Sequence, residues 1–165
     1  MNYISKYKVL NFQEHKNKII DLIFKIPQTP LKNEKKESIF HTDWKIPKSM
    51  QRDYLEYFQE NILKDFFKDF TSNNGCQKIQ MHNIWFQVYA EGDWHYPHTH
   101  AGTNFTNVFY LQLPCNSLKT NILNTDIDVS EGDILTFPGF IKHESPKNKT
   151  NQFKIIISFN TSILE

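Results

Sequence analysis

At Asn73-Asn74-Gly75 the hydrophobic period changes from about 3.6 residues to 2, and this switch constrains the fold more than any other feature. Before it, residues 50–71 place Leu55, Phe58, Ile62 and Phe66 at spacings of three and four, with Lys64, Asp65, Lys68 and Asp69 on the wet face. That pattern predicts a helix packed on a sheet. A second helix is expected over residues 12–26, where Ile19, Ile20, Leu22 and Ile23 stand among polar residues and Pro27 and Pro30 close the segment. Residues 28–49, polar and proline-containing, read as a long irregular connection.

After the switch, residues 78–90 alternate, with Ile84, Phe86 and Val88 on one side and Trp85, Gln87 and Tyr89 on the other. Further strands are expected at about 106–113, 118–124, 133–137 and 153–160, divided by turns such as Pro114-Cys115-Asn116-Ser117 and Glu131-Gly132-Asp133. Short strands this close together leave no room for crossover helices, so the expected class is mainly β, a sandwich or barrel behind N-terminal helices. One domain accounts for residues 1–165, with 1–75 as the helical part and 76–165 as the β core. Fourteen Phe among 15% aromatics are enough to fill one core.

A formal net charge of +1 gives no electrostatic case for nucleic acid or an anionic membrane as partner. The start, MNYISKYKVLNF, has no apolar run of the secretory kind, and no stretch has the length of a membrane span. Cys76 and Cys115 form no ligand pair or disulfide framework, so reduced thiols in a cytoplasm are expected. Oligomeric state has no signature here.

Three of the seven histidines form a pattern. His98 and His100 follow a strand two residues apart, and in extended backbone such side chains point the same way about 7 Å apart. His143 follows Phe137-Pro138-Gly139 much later in the chain. Two close ligands and one remote one suit an open metal site with free positions for substrate or oxygen. Taken alone, any one of these histidines reads as a surface residue. His95 fits the rim, while His15, His41 and His82 have no partner pattern.

Gly92, five residues and then His98-Thr99-His100 resemble the first cupin signature, and Gly132, five residues, Pro138 and His143 resemble the second. The resemblance implies a double-stranded β-helix, a jelly-roll of cupin type. Asn104 stands near the place of that signature's Glu and is a poor metal ligand.

Residues 84–160 also resemble the 2-oxoglutarate and iron(II)-dependent oxygenases, in particular prolyl 4-hydroxylase-like members of bacteria and phages. Tyr89-Ala90-Glu91-Gly92-Asp93, Pro97-His98-Thr99-His100, Thr106 to Leu111, Gly132 to Pro138, His143, Pro146 and Phe153 to Asn160 carry the likeness. It implies a dioxygenase that hydroxylates a prolyl residue or small molecule, with Fe(II) held by His98, His100 and His143, and dioxygen and 2-oxoglutarate as co-substrates. Two departures stand out. The usual HxD is HxH here, so His100 replaces an acidic ligand. Where the family commonly has an Arg for the distal carboxylate of 2-oxoglutarate, this chain has Lys154.

Lys154 alternates with Phe153 and Ile155 and shares a face with Ser158 and Asn160, so it points into the barrel if the Phe–Ile face meets the helices. A buried Lys requires an anion. The resemblance assigns that role to 2-oxoglutarate, with Tyr89, Tyr110, Thr106 and Ser158 around it. Two rival expectations are a three-histidine cupin-type enzyme that does not use 2-oxoglutarate and a non-catalytic metal- or ligand-binding β-barrel.

Overall fold

A computed structural model describes residues 3–164. Strand β1 (Ser5–Lys8) comes first, then helix α1 (Phe12–Phe24) and three short strands, β2 (Leu31–Asn33), β3 (Glu37–Ile39) and β4 (His41–Thr42). Helices α2 (Asp53–Phe58) and α3 (Lys64–Asn74) follow, joined without a break by a π-turn at Gln59–Leu63. The β region holds β5 (Lys78–Tyr89), β6 (Trp94–His98), β7 (Phe105–Gln112), β8 (Asn121–Ile122), β9 (Asp133–Pro138), β10 (His143–Ser145) and β11 (Lys154–Leu164).

These strands form two sheets with antiparallel pairing, ordered β1-β9-β7-β11-β5-β4 and β2-β3-β6-β10-β8. The jelly-roll expected from the sequence is the observed architecture. Alternation along β5 and β11 decides which side chain meets which layer. Phe86, Val88, Ile155, Ile157 and Phe159 pack under the helices, in one core with Ile19, Ile23, Phe58 and Phe66. Tyr89, Val108, Tyr110, Phe137 and Ile156 form a second cluster between the sheets. Phe159 sits edge-on to Phe58 and Phe66, with ring centroids at 6.0 and 5.6 Å. Truncating such a buried ring costs about 3–5 kcal/mol.

Several elements differ from expectation. The chain begins with a strand: Ser5-Lys6-Tyr7-Lys8 pairs with β9 at the end of the larger sheet, where exposed lysines are tolerated and no apolar alternation is required. Segment 28–49 is less irregular than its composition, because Leu31–Asn33 and Glu37–Ile39 form a hairpin that pairs onto β6, and His41–Thr42 pairs onto β5. The N-terminal part therefore adds strands to both sheets. Only Asn121–Ile122 of the expected 118–124 strand is extended, after a turn of 3-10 helix at Asn116–Leu118. No helix among the described residues is long and apolar enough to cross a membrane.

Gly92 and Gly132 have φ of 87° and 86°, a region that side-chain-bearing residues rarely enter. Each turns the chain just before a strand of the barrel, β6 or β9. Those turns set the positions from which the histidines project.

Candidate metal centre

His98 is the last residue of β6 and His143 the first of β10, and the two are directly paired across the ladder. His100 lies beyond the end of β6 instead of within an extended run. Its position comes from the main chain: His100 N–H donates to Gly139 O at 2.8 Å, and Gly139 N–H donates to Asn104 O at 2.9 Å. A Cβ on Gly139 would sit 2.8 Å from Thr103 Cγ2 and 2.9 Å from the carbonyl oxygens of His100 and Thr103, so no other residue fits without moving the loop. Asn104 does not face the metal group; its side chain accepts from Ile163 N–H at 2.9 Å and fixes a strand end.

One ring nitrogen from each of His98, His100 and His143 lies within 4.8 Å of the others. The Nδ1 atoms are already committed. His98 Nδ1 donates to Tyr96 O at 2.7 Å, His143 Nδ1 to Ile141 O at 3.0 Å and His100 Nδ1 to Asn160 Oδ1 at 2.6 Å. Carbonyl acceptors require a proton on Nδ1, which leaves Nε2 with the lone pair. Burial keeps all three rings neutral, lowering His98 and His100 and pushing His143 down to about 3. Three neutral, oriented imidazoles are what a divalent first-row metal accepts, so the donor set fits such an ion.

His95 is closer to this group than a rim residue would be. Its ring stacks on His98 with centroids at 4.1 Å, and its Nε2 is 3.1 Å from Glu37 Oε2. Burial, followed by the neighbouring imidazoles, pushes it down to about 3. His15, His41 and His82 lie elsewhere, bonded to Tyr57, Ile23 and Ser162 respectively.

Behind the triad, Lys154 is 0% exposed. Its Nζ donates to Ser145 Oγ at 2.7 Å and stands 5.2 Å from the centre of the Tyr89 ring, and it has no carboxylate partner among the described residues. Burial pushes its pKa down to about 7. The chain's one arginine, Arg52, is bound to Asp43 at 2.9 Å, which leaves Lys154 as the buried cation of the barrel. Tyr89, Thr106 and Ser158 line a cavity of about 30 Å³ together with the triad and Ser145, the hydroxyl partner of Lys154. Tyr110 OH accepts from Thr120 N–H at 3.1 Å, and burial pushes its pKa up to about 12. Tyr89 is shifted upward by burial as well. Ser158 Oγ donates to Gln87 Oε1 at 3.3 Å, and Thr106 Oγ1 to Asn160 Oδ1 at 3.4 Å.

Sequence reasoning did not single out Ser145 or the Glu37 partner of His95. Asn160 was legible only as a polar residue on the inward face of β11. Its signal is parity: residues 154, 158 and 160 interrupt an otherwise apolar strand on one side.

No protein-family model and no curated protein matches this chain. Solved structures do match it in fold. The viral collagen prolyl hydroxylase of Paramecium bursaria Chlorella virus-1, in complex with 2OG, superposes with a TM-score of 0.67 at 18% identity, covering 99% of this chain and 97% of its own. A Pseudomonas putida prolyl-4-hydroxylase gives 0.67 at 11% identity, with 100% and 95% coverage. A 2OG-Fe(II) oxygenase family oxidoreductase from Burkholderia pseudomallei gives 0.73 at 11% identity, with 97% and 85% coverage. Over nearly its whole length, then, this chain has the fold of the 2OG-Fe(II) oxygenases and prolyl hydroxylases, with three convergent histidines at the mouth of the jelly-roll.

Proposed function

We propose that this protein is a dioxygenase dependent on iron(II) and 2-oxoglutarate, hydroxylating a C–H bond of a substrate not yet identified. The observation that carries the reading is Lys154. A buried ammonium with one neutral hydroxyl partner and no carboxylate is costly unless an anion meets it, and that partner, Ser145, borders the same cavity as the triad. His98, His100 and His143 would hold the metal through Nε2, with Tyr96 O, Ile141 O and Asn160 Oδ1 fixing the rings. When bound, iron and 2-oxoglutarate supply the oxidising chemistry with dioxygen.

The chain's own work is orientation and exclusion of water. Lys154 would pair with the distal carboxylate as a point charge, and Tyr89, Thr106 and Ser158 border the cavity that its partner Ser145 also lines. Tyr110 is committed to Thr120, which itself borders that cavity. A cavity of about 30 Å³ holds little more than a water, so a dicarboxylate would enter only with a shift of the side chains that line it.

Thermal shift with manganese(II), with and without 2-oxoglutarate, tests the reading. Metal should raise the melting temperature, and 2-oxoglutarate should raise it further only when metal is present. Lys154→Ala should remove the second shift and keep the first; His98→Ala or His143→Ala should remove both. A metal shift indifferent to 2-oxoglutarate would mean a cupin-type three-histidine enzyme. No metal shift at all would mean a non-catalytic barrel.

A further inference from the structure

The triad opens on a groove of about 620 Å³ that also bears Lys32, Lys36 and Lys45. All three lysines are exposed and none has a carboxylate partner among the described residues. The one acid on the groove wall, Glu37, stands 3.1 Å from the neutral His95 ring and is outnumbered by the three lysines. With a net charge of +1 for the whole chain, this positive character is local to the groove. An aromatic series runs through the same wall. Trp44, 53% exposed, sits edge-on to Trp85 at 4.8 Å, and the Trp85 ring lies 5.7 Å from that of His100. Beyond this pair lies a second cavity of about 420 Å³ that shares Trp44, Asn83 and Trp85 and adds Lys48. The two together suit an extended ligand better than a compact metabolite.

The backbone beside the groove points to the nature of that ligand. Strand β2, whose Leu31, Lys32 and Asn33 all border the cavity, is the end strand of its sheet. Its outer side carries main-chain groups with no strand partner among the described residues. An extended peptide finds hydrogen bonds along such an edge, and a polynucleotide does not. On the same walls the side-chain oxygens of Asn33 and Asn83 accept from Lys35 N–H and Lys48 Nζ, which leaves their NH2 groups as donors to peptide carbonyls.

We propose that the substrate is presented as an acidic peptide segment, lying along β2 with its carboxylates at Lys32, Lys36 and Lys45 and its reacting residue held between Trp85 and the triad. The inference rests on the oxygenase reading only for the last clause. Charge complementarity and a strand edge carry the rest.

Fluorescence anisotropy of a labelled short oligo-L-glutamate, titrated with the full-length manganese-loaded protein, tests it. Binding should weaken as salt rises. The variant Lys32→Gln/Lys36→Gln/Lys45→Gln should bind about tenfold or more weakly while keeping manganese uptake unchanged. Trp44→Ala should also weaken binding. Oligo-D-glutamate, with the same charge and the mirrored backbone, should bind less well than the L form. Equal binding of the two enantiomers, tighter binding of oligothymidylate, or indifference to the lysine substitutions would overturn the proposal. Oligo-L-glutamate binding by a protein that ignores 2-oxoglutarate would support the groove and refute the oxygenase reading alone.

Discussion

His100 Nδ1 donates to the side-chain oxygen of Asn160 at 2.6 Å, whereas His98 and His143 donate to main-chain carbonyls two residues before them. Two of the three rings are thus oriented by their own strands and would survive most substitutions. The third, His100, is oriented by a side chain on β11. Asn160 is 7% exposed and is itself approached by Thr106 Oγ1. A neutral amide keeps His100 in the Nδ1–H tautomer without adding charge to a site that already lacks a carboxylate.

Asn160→Ala should therefore weaken manganese(II) or iron(II) binding by about 10–100-fold, the usual effect of losing a ligand-orienting partner. Asn160→Asp should restore or tighten binding, because a carboxylate accepts the same proton and makes the imidazole more basic. Direct metal titration of the two variants, with His98→Ala as the control for outright ligand loss, checks this. Equal loss in both variants would mean that Asn160 only packs.

The contrast also shows which features were legible in the sequence. The triad was, because strand ends and glycine turns impose spacings that survive in one dimension. Lys154 was, because a charge at one parity of an apolar strand has to face inward or outward as a matter of geometry. Strand β1 was not: an edge strand of Ser5-Lys6-Tyr7-Lys8 carries no period, and only its pairing with Asp133–Thr136 makes it extended. Nor were β2 and β3, since β3 is extended by its pairing with β6 and β2 by its pairing with β3. The stacking of His95 on His98 comes from a register shift in the ladder, where His98 pairs with His143 but His95 with Ser145, and parity, which puts the two on opposite faces, cannot foresee that extra residue.

Asp43 is a second place where one side chain holds several elements. Its carboxylate, fully buried, accepts from Tyr54 OH at 2.6 Å, Arg52 Nη1 at 2.9 Å and the main-chain N–H of Phe86 at 2.9 Å. It thereby ties the start of α2 to β5, next to the Trp44–Trp85 pair. Arg52 Nε is buried with no acceptor, so this guanidinium depends on Asp43 for compensation. Asp43→Ala should cost about 3–5 kcal/mol in chemical denaturation, since it strands a buried charge. Adding Arg52→Leu should recover part of the loss, and strictly additive costs would refute the dependence.

Lys154 gives the oxygenase reading a pH signature. Burial holds its pKa at about 7, against about 10.4 in an unfolded chain. Between those values the unfolded state binds more protons, so this residue makes the ligand-free protein gain stability as pH rises from about 7. Above about 10.4 both states are neutral and the penalty is gone; below about 7 it is present in full. Binding of 2-oxoglutarate reverses the preference, because the carboxylate needs the charged ammonium. Affinity for 2-oxoglutarate, measured by calorimetry on the manganese-loaded protein, should fall progressively above pH 7, approaching tenfold per unit. Lys154→Arg, which stays charged throughout, should bind with an affinity that is flat across the same range. If the wild-type affinity is equally flat, the ammonium is not the group that meets the dicarboxylate, and the cation assigned to it must be sought elsewhere in the groove.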